Sequence, residues 1–478
     1  MPLIEAIRTT AVGLSLTLVC LYLPACGSPD ASGSGPPSGK VPSDEAIAGL
    51  LAERMQRNGV GMVVGVIDGE RRSVVAHGVT EASDGRPVDG ATVFQLGSLT
   101  KVITGLLLAD MVVRGEVKLD DPVSELLPKE ITMKVTGRPI TLRDLSTHTS
   151  GLPSMPENFD IRGEPDPYEA YSVAQLWAFL SGYRPERAPG IAYQYSNLGV
   201  SLLGRALALR LGTTYEDLVK ERVLTPLGMN STSITLSADQ ELRAAVGHDP
   251  YLQPVRTWEM ATLQASGSLR STADDMLRLL ALYLGQVDDP RLRAAAELQR
   301  REGVQIEGRF VPLGLGLREG GVYAHAGGKQ GFRSGLAFNP EKGVGAIVLA
   351  NARTYESEPM AIALHLAAGE SLPPASPAPP PKPRVELSGT ELERFAGRYR
   401  GEDGREWEVV VAGALLRIRY PDMSIYEFVP SASTEFFYNT GNDDITFEVD
   451  AAGRVVSLTV YGDGKPEGGG LSARRVVP

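Results

Sequence analysis

Apolar positions along this chain follow a helical period in the middle and a strand period near both ends. Asp44 to Asn58 reads as a helix capped by Ser43 and ended by Gly59. Val60–Ile67 and Ser73–Val79 are apolar runs around Asp68-Gly69, which predicts a hairpin. A helix rich in Leu, Ile and Val is predicted from Ser98 to Gly115, and helical spacing returns at Val173–Leu180, Asn197–Leu211 and Thr214–Val223. Strand-like runs reappear at Gly321–His325, Ser334–Phe338 and Val344–Leu349. Strands at both ends of a helical middle predict an α+β body: one antiparallel sheet completed by the two ends, flanked by helices, with a mostly helical insert. The tail differs. Trp407–Val411, Leu415–Tyr420, Ile425–Phe428, Ile445–Val449 and Val455–Tyr461 are short β-type runs separated by turns, the pattern of a small all-β barrel or sandwich.

Two stretches fit neither pattern. Gly27 to Lys40 is a Gly/Ser/Pro linker, and Leu372 to Arg384 carries seven prolines, a stiff extended spacer. They divide the chain into a body at 41–370 and a tail at 385–478, with linkers at 27–40 and 371–384. Residues 1–26 read as a signal peptide, with Arg8 ahead of an apolar run from Ala11 to Leu23. That run ends in Leu23-Pro24-Ala25-Cys26, which resembles a lipobox with Cys26 as the lipidated residue. A simple secretory signal and an uncleaved anchor are the alternatives. The expectation is an exported, membrane-anchored bacterial lipoprotein facing the periplasm or the cell exterior.

With 42% hydrophobic and 22% charged residues the composition is that of a globular protein. A net charge of −11 argues against nucleic acid or an anionic membrane surface as a partner. Both cysteines, Cys20 and Cys26, lie in the leader, so the body has no disulfide, cysteine nucleophile or thiolate metal site. The histidines have no metal-ligand spacing, and no phosphate- or dinucleotide-binding motif is present. No cofactor is expected.

Three short motifs carry the candidate chemistry. Ser98-Leu99-Thr100-Lys101 puts a hydroxyl and an amine on one helical face, beside the free N–H groups of a helix start. Lysine is a base only when neutral, and burial lowers its pKa in that direction. The bland reading is an N-cap serine with a solvated lysine. Tyr195-Ser196-Asn197 lies between a Pro-Gly turn and the next helix. A tyrosine there passes protons if its pKa is depressed near a lysine, and an asparagine can hold the lysine head or a substrate amide. Alone, the motif is as well explained by a helix cap. His325-Ala326-Gly327-Gly328 ends a strand-like run ahead of a Gly-rich turn, where a substrate backbone can lie close and the Gly328 N–H can bind an oxyanion. A strand end with a partly buried histidine explains it equally well.

Together, and in this order, the motifs resemble those of the beta-lactamase-related serine hydrolases. That family includes class C beta-lactamases, D-alanyl-D-alanine carboxypeptidases, D-aminopeptidases and esterases. The stretches FQLGSLTK, GEVKLDDPVSELLP, ITLRDLSTHTSGLP, YQYSNLGVSLLG and ASGSLRSTADDM carry the resemblance across roughly residues 45–365. It implies Ser98 as the acylated nucleophile, Lys101 as its base, Tyr195 as the proton relay and Asn197 as the orienting group. The N–H groups of Ser98 and Gly328 would bind the oxyanion, with His325 and Gly327 beside the substrate. His148 in LSTHTSGLP reads as a structural loop residue. Penicillin-binding members usually carry Lys-Thr-Gly at 325–327, where the lysine supplies a fixed charge for a substrate carboxylate. His325 is mostly neutral at pH 7, which points to esters or D-amino-acid peptides rather than beta-lactams. A non-hydrolysing penicillin-binding or peptidoglycan-sensing lipoprotein on the same fold is the alternative. Expected partners are a small-molecule ester, a peptide or a cell-wall fragment, and a membrane reached through the lipid. The tail, with Phe395-Ala396-Gly397-Arg398-Tyr399, resembles the lipocalin-like domains appended to some members.

Overall fold

The computed structural model describes residues 41–83, 85–162, 166–249, 252–352, 358–372, 383–438, 443–462 and 470–476. The leader, Cys26, the 27–40 linker and residues 373–382 of the proline-rich spacer lie outside them. The chain divides into two compact units at Pro383/Arg384. Among the described residues no helix is long and apolar enough to cross a membrane.

The larger unit is built on a six-stranded antiparallel sheet. Its strands are β1 (Gly61–Asp68), β2 (Arg71–Gly78), β3 (Gly316–Arg318), β4 (Val322–Lys329), β5 (Phe332–Asn339) and β6 (Val344–Ala350), in the order β2-β1-β6-β5-β4-β3. The hairpin around Asp68-Gly69 forms, and the two chain ends meet where Met62 pairs with Ala350 and Asp68 with Val344. Helices cover both faces, which is why β1 is buried from Gly61 to Ile67 and reads as a continuous apolar run. On one face α1 (Asp44–Asn58) brings Ile47 and Leu51, and α6 (Glu358–Ala368) brings Ile362, Ala363 and Leu366, against Met62, Val64 and Val348. On the other, α4 (Ala273–Tyr283) fits where β1 and β6 carry Gly65 and Gly345, because added Cβ atoms would press on Leu277 and Leu280.

The core helix α2 (Thr100–Val113) is buried from Thr100 through Met111, and α5 (Pro290–Arg301) packs on it. An apolar surface on every side makes α2 a central helix rather than a surface one. Its start departs from expectation. Ser98 lies in a separate 3-10 turn, Gly97–Leu99, because Gly97 takes a left-handed conformation (φ +53°) that stops the α-helix short. The strand expected to end at His325 also runs on to Lys329, so His325-Ala326-Gly327 sits inside β4.

The smaller unit is a closed eight-stranded antiparallel barrel. Its strands are β7 (Gly397–Gly401), β8 (Glu406–Ala412), β9 (Leu415–Arg419), β10 (Ile425–Pro430), β11 (Glu435–Tyr438), β12 (Asp444–Val449), β13 (Val455–Tyr461) and β14 (Leu471–Arg475). Tyr399, Trp407, Phe428, Phe436 and Phe447 fill its interior, with Phe395 at 0% exposure beside them. The Tyr399 hydroxyl donates to the Phe395 carbonyl at 2.7 Å, which ties the Phe395–Tyr399 motif into one turn.

Candidate active site

Three elements bring the motif residues together. The first is the Gly97–Leu99 turn leading into α2. The second is the start of α3 (Asn197–Leu211), where Ser196 caps the helix by accepting from Gly199 N at 2.8 Å and donating to Pro153 O at 2.6 Å. The helix-cap reading of Tyr195-Ser196-Asn197 therefore holds together with the functional one: the cap is what aims its neighbours. The third is β4. A Cβ on Gly97 would lie 2.7 Å from Gly328 O, and one on Gly327 would collide with Leu96 O and Ser334 Oγ, so both glycines are required for strand and turn to touch.

Lys101 is wholly buried, and no carboxylate is among its hydrogen-bond partners. Its Nζ lies 2.8 Å from Asn197 Oδ1, 2.6 Å from the Ser266 carbonyl and 3.1 Å from Ser98 Oγ. Burial holds its pKa well below the usual lysine value. A neutral amine has two N–H donors and one lone pair. The two carbonyl oxygens take the donors, and the lone pair is left for the Ser98 hydroxyl. Tyr195 also reaches Ser98, its hydroxyl donating to Ser98 Oγ at 2.8 Å. Lys101 Nζ lies 4.9 Å from the centre of the Tyr195 ring.

The expected depression of the Tyr195 pKa is corrected here. Burial raises it, outweighing the hydrogen bond to Ser98 and leaving a phenol that donates a proton. The arrangement has one direction: Ser98 can give its proton to Lys101 while accepting from Tyr195.

Backbone donors complete the geometry. Ser98 is the second residue of its turn, where N–H groups lack intrahelical acceptors. Lys329 and Phe332 flank the two-residue turn Gln330-Gly331 and form the hydrogen-bonded closing pair of the β4–β5 hairpin. Gly328, one residue back, points its N–H away from β5, toward the edge that β3 leaves open beyond Ala324. Gly328 is exposed there. Ala326 follows the same alternation, and its carbonyl accepts from His325 Nδ1 at 2.7 Å. That bond leaves Nε2 as the free nitrogen. Burial lowers the His325 pKa to about 4, so Nε2 is an acceptor at neutral pH.

One contributor escaped sequence reasoning, and another, His148, was read from the sequence as a structural loop residue. The Ser266 carbonyl is a main-chain group, which no residue type announces. His148 is 5% exposed, adopts φ +60°, and stacks on Tyr195 with ring centroids 4.5 Å apart. Its Nδ1 accepts from Ser196 N at 3.1 Å and its carbonyl from Gln194 N at 2.7 Å, gripping the chain on both sides of Tyr195. Among the described residues no cluster of three or more His, Cys, Asp or Glu is placed to hold a metal ion.

This chain is similar to known proteins in sequence and in structure. The D-alanyl-D-alanine-carboxypeptidase/endopeptidase AmpH of Escherichia coli K12 is 33% identical over 315 residues, covering 60% of this chain and 78% of that protein. The crystal structure of a class C beta lactamase from Rhodobacter sphaeroides matches with a TM-score of 0.57 at 28% identity, over 65% of this chain and 95% of the other. A beta-lactamase/D-alanine carboxypeptidase from Yersinia pestis, complexed with citrate, matches with a TM-score of 0.55 at 25% identity, over 64% and 93%. The Beta-lactamase family model matches residues 47–370, the whole span that carries the sheet, the core helix and the three motifs, so the chain belongs to the Beta-lactamase family and is an enzyme of the serine hydrolase type.

Proposed function

We propose that this protein is an exported, lipid-anchored hydrolase that forms an acyl-enzyme on Ser98 and cleaves an ester or a D-amino-acid amide. The observation that carries the reading is the Ser98 hydroxyl held between a buried amine at 3.1 Å and a phenol at 2.8 Å. Export and anchoring rest on the sequence of residues 1–40 alone.

In the first half-reaction Ser98 Oγ attacks the carbonyl carbon as Lys101 takes its proton. The N–H groups of Ser98 and Gly328 bind the oxyanion, a contribution of roughly 3–4 kcal/mol per donor where one has been removed. Tyr195 protonates the leaving oxygen or nitrogen and is reprotonated from Lys101. In the second half, water attacks the acyl carbon as its proton passes to Lys101, and Lys101 returns that proton to Ser98 Oγ as the bond to the acyl group breaks. Asn197 holds Lys101 in place, and His148 holds Tyr195.

His325 sets the leaving half of the substrate. A neutral imidazole whose Nδ1–H is committed to Ala326 O offers only an acceptor, which suits an N–H or O–H of the substrate and gives no charge to a carboxylate. This favours esters and peptide amides over beta-lactams. The test is a panel of p-nitrophenyl esters, a D-Ala-D-Ala peptide and a chromogenic cephalosporin, run with a Ser98→Ala control. Turnover of esters or peptide that vanishes in the folded variant supports the reading, and near wild-type turnover in the variant contradicts it.

A further inference from the structure

Lys329 lies four residues beyond His325 on the same face of β4, and no step above uses it. It is 9% exposed, and its Nζ is buried without a hydrogen-bond partner among the described residues. It is not alone. Gln330 Oε1, Ser268 Oγ and Gln95 Oε1 are also buried and unpartnered. All four belong to segments bordering Ser98. Gln95 is two residues before Gly97 and pairs with Arg270, Ser268 is two residues before Arg270, and Lys329 follows the Gly328 that touches Gly97. Buried polar atoms in native proteins nearly always find partners, so a group of orphans beside a reactive serine calls for a ligand.

Charge identifies the ligand. The groups acting on Lys329 are Arg270, Glu259 and Asp166. Each of these is already committed. Arg270 donates to Ile234 O and pairs with Glu259, while Asp166 accepts from Tyr168 N at 2.8 Å and Glu259 N at 2.5 Å. Burial lowers the Lys329 pKa only to about 8, so the amine is mostly charged at neutral pH. Neither carboxylate is hydrogen-bonded to Lys329 Nζ; a buried amine without a hydrogen-bonded anion costs stability, and a carboxylate on the substrate would supply that contact.

The side of the cleft identifies which half of the substrate carries it. His325 lies at the end of β4 that β3 joins, and the chain entering β3 packs Gly314 against the Lys101 carbonyl, with Lys101 Nζ 4.9 Å from the centre of the Tyr195 ring. His325 therefore marks the end of β4 where Tyr195 protonates the leaving group. Gly328 and the oxyanion lie between, and Lys329 marks the opposite, acyl end.

We infer that Lys329 is a specificity-determining residue that selects substrates carrying a carboxylate on the acyl half, with the neighbouring Gln330, Ser268 and Gln95 side chains as further polar contacts. This rests on Ser98 acylation as proposed above. The experiment compares two p-nitrophenyl esters of equal chain length, the glutarate monoester and the valerate, on wild type, Lys329→Met and Lys329→Arg. The wild type is expected to favour the glutarate in kcat/KM by about tenfold or more, the size of one charged hydrogen bond. Lys329→Met should remove that ratio and Lys329→Arg should keep most of it. No preference in the wild type, or the same preference in Lys329→Met, overturns the inference. Valerate turnover in Ser98→Ala is a separate readout: its survival would overturn the acylation reading instead.

Discussion

Two lysines are buried among the described residues, and their surroundings differ in kind. Lys101 sits under the sheet on a core helix with three oxygens fixed around its nitrogen. Lys329 sits at the tip of β4 with none. Burial lowers both pKa values, and lowers that of Lys101 well below the usual value. The difference teaches that burial alone does not assign a role. An amine whose N–H groups are all taken presents its lone pair, and is a base. An amine with no acceptor presents its charge, and is a binding group.

The largest effect is expected at Lys101. Lys101→Met should cut kcat/KM by about 10³-fold, within the range of a lost general base, while the circular dichroism spectrum persists. In the wild type kcat/KM should fall as the pH drops and Lys101 is protonated, with a midpoint below the ordinary lysine value. A variant retaining a tenth of the activity would make the two lysines equivalent.

Lys329 should show itself next, in stability. Its pKa falls from 10.5 to about 8 on folding, so between those values the unfolded chain binds a proton that the folded chain does not. Stability should therefore rise with pH across that window, by up to about 3 kcal/mol. Lys329→Met lacks this contribution. Denaturant titrations at pH 7 and pH 10.5 should find the variant's advantage over wild type larger at pH 7. An advantage independent of pH would contradict the unpaired charge.

Tyr195→Phe should lower kcat by about 10²-fold through loss of the proton donor. Because burial raises the Tyr195 pKa, wild-type activity should hold on the alkaline side at least to the usual phenol range. His325→Lys is the mildest change. It places a cation at the leaving end, and should shift relative kcat/KM about tenfold toward a D-Ala-D-Ala peptide over its C-terminal amide.

Some of this was readable in the sequence. Ser98 and Lys101 stand out because three residues is the spacing of one helical face, and their contact survives even though Ser98 lies outside the α-helix. The hairpin at Asp68-Gly69 and the sheet closed by both chain ends follow from apolar runs and a turn. Lys329 was hidden because Gly327-Gly328 reads as a turn. Both are instead strand residues: a side chain on Gly327 would collide with Leu96, and Gly328 lies against Gly97, which itself has no room for a Cβ. His148 was legible as a structural loop residue, but what it holds was not, because its grip on the Tyr195 segment depends on a left-handed backbone that no pattern in LSTHTSGLP announces. In the barrel, β7 and β14 escaped because Gly397–Gly401 and Leu471–Arg475 are short and carry arginines, and their pairing closes the barrel through contacts far apart in sequence.

The central claim is that Ser98 carries the acyl group. The direct measurement is peptide mapping by mass spectrometry after an acid quench during turnover of p-nitrophenyl acetate. The account predicts one acetyl group on the peptide containing Ser98 in the wild type and none in Ser98→Ala. An acetyl group on another residue, with Ser98 unmodified while hydrolysis proceeds, would contradict it.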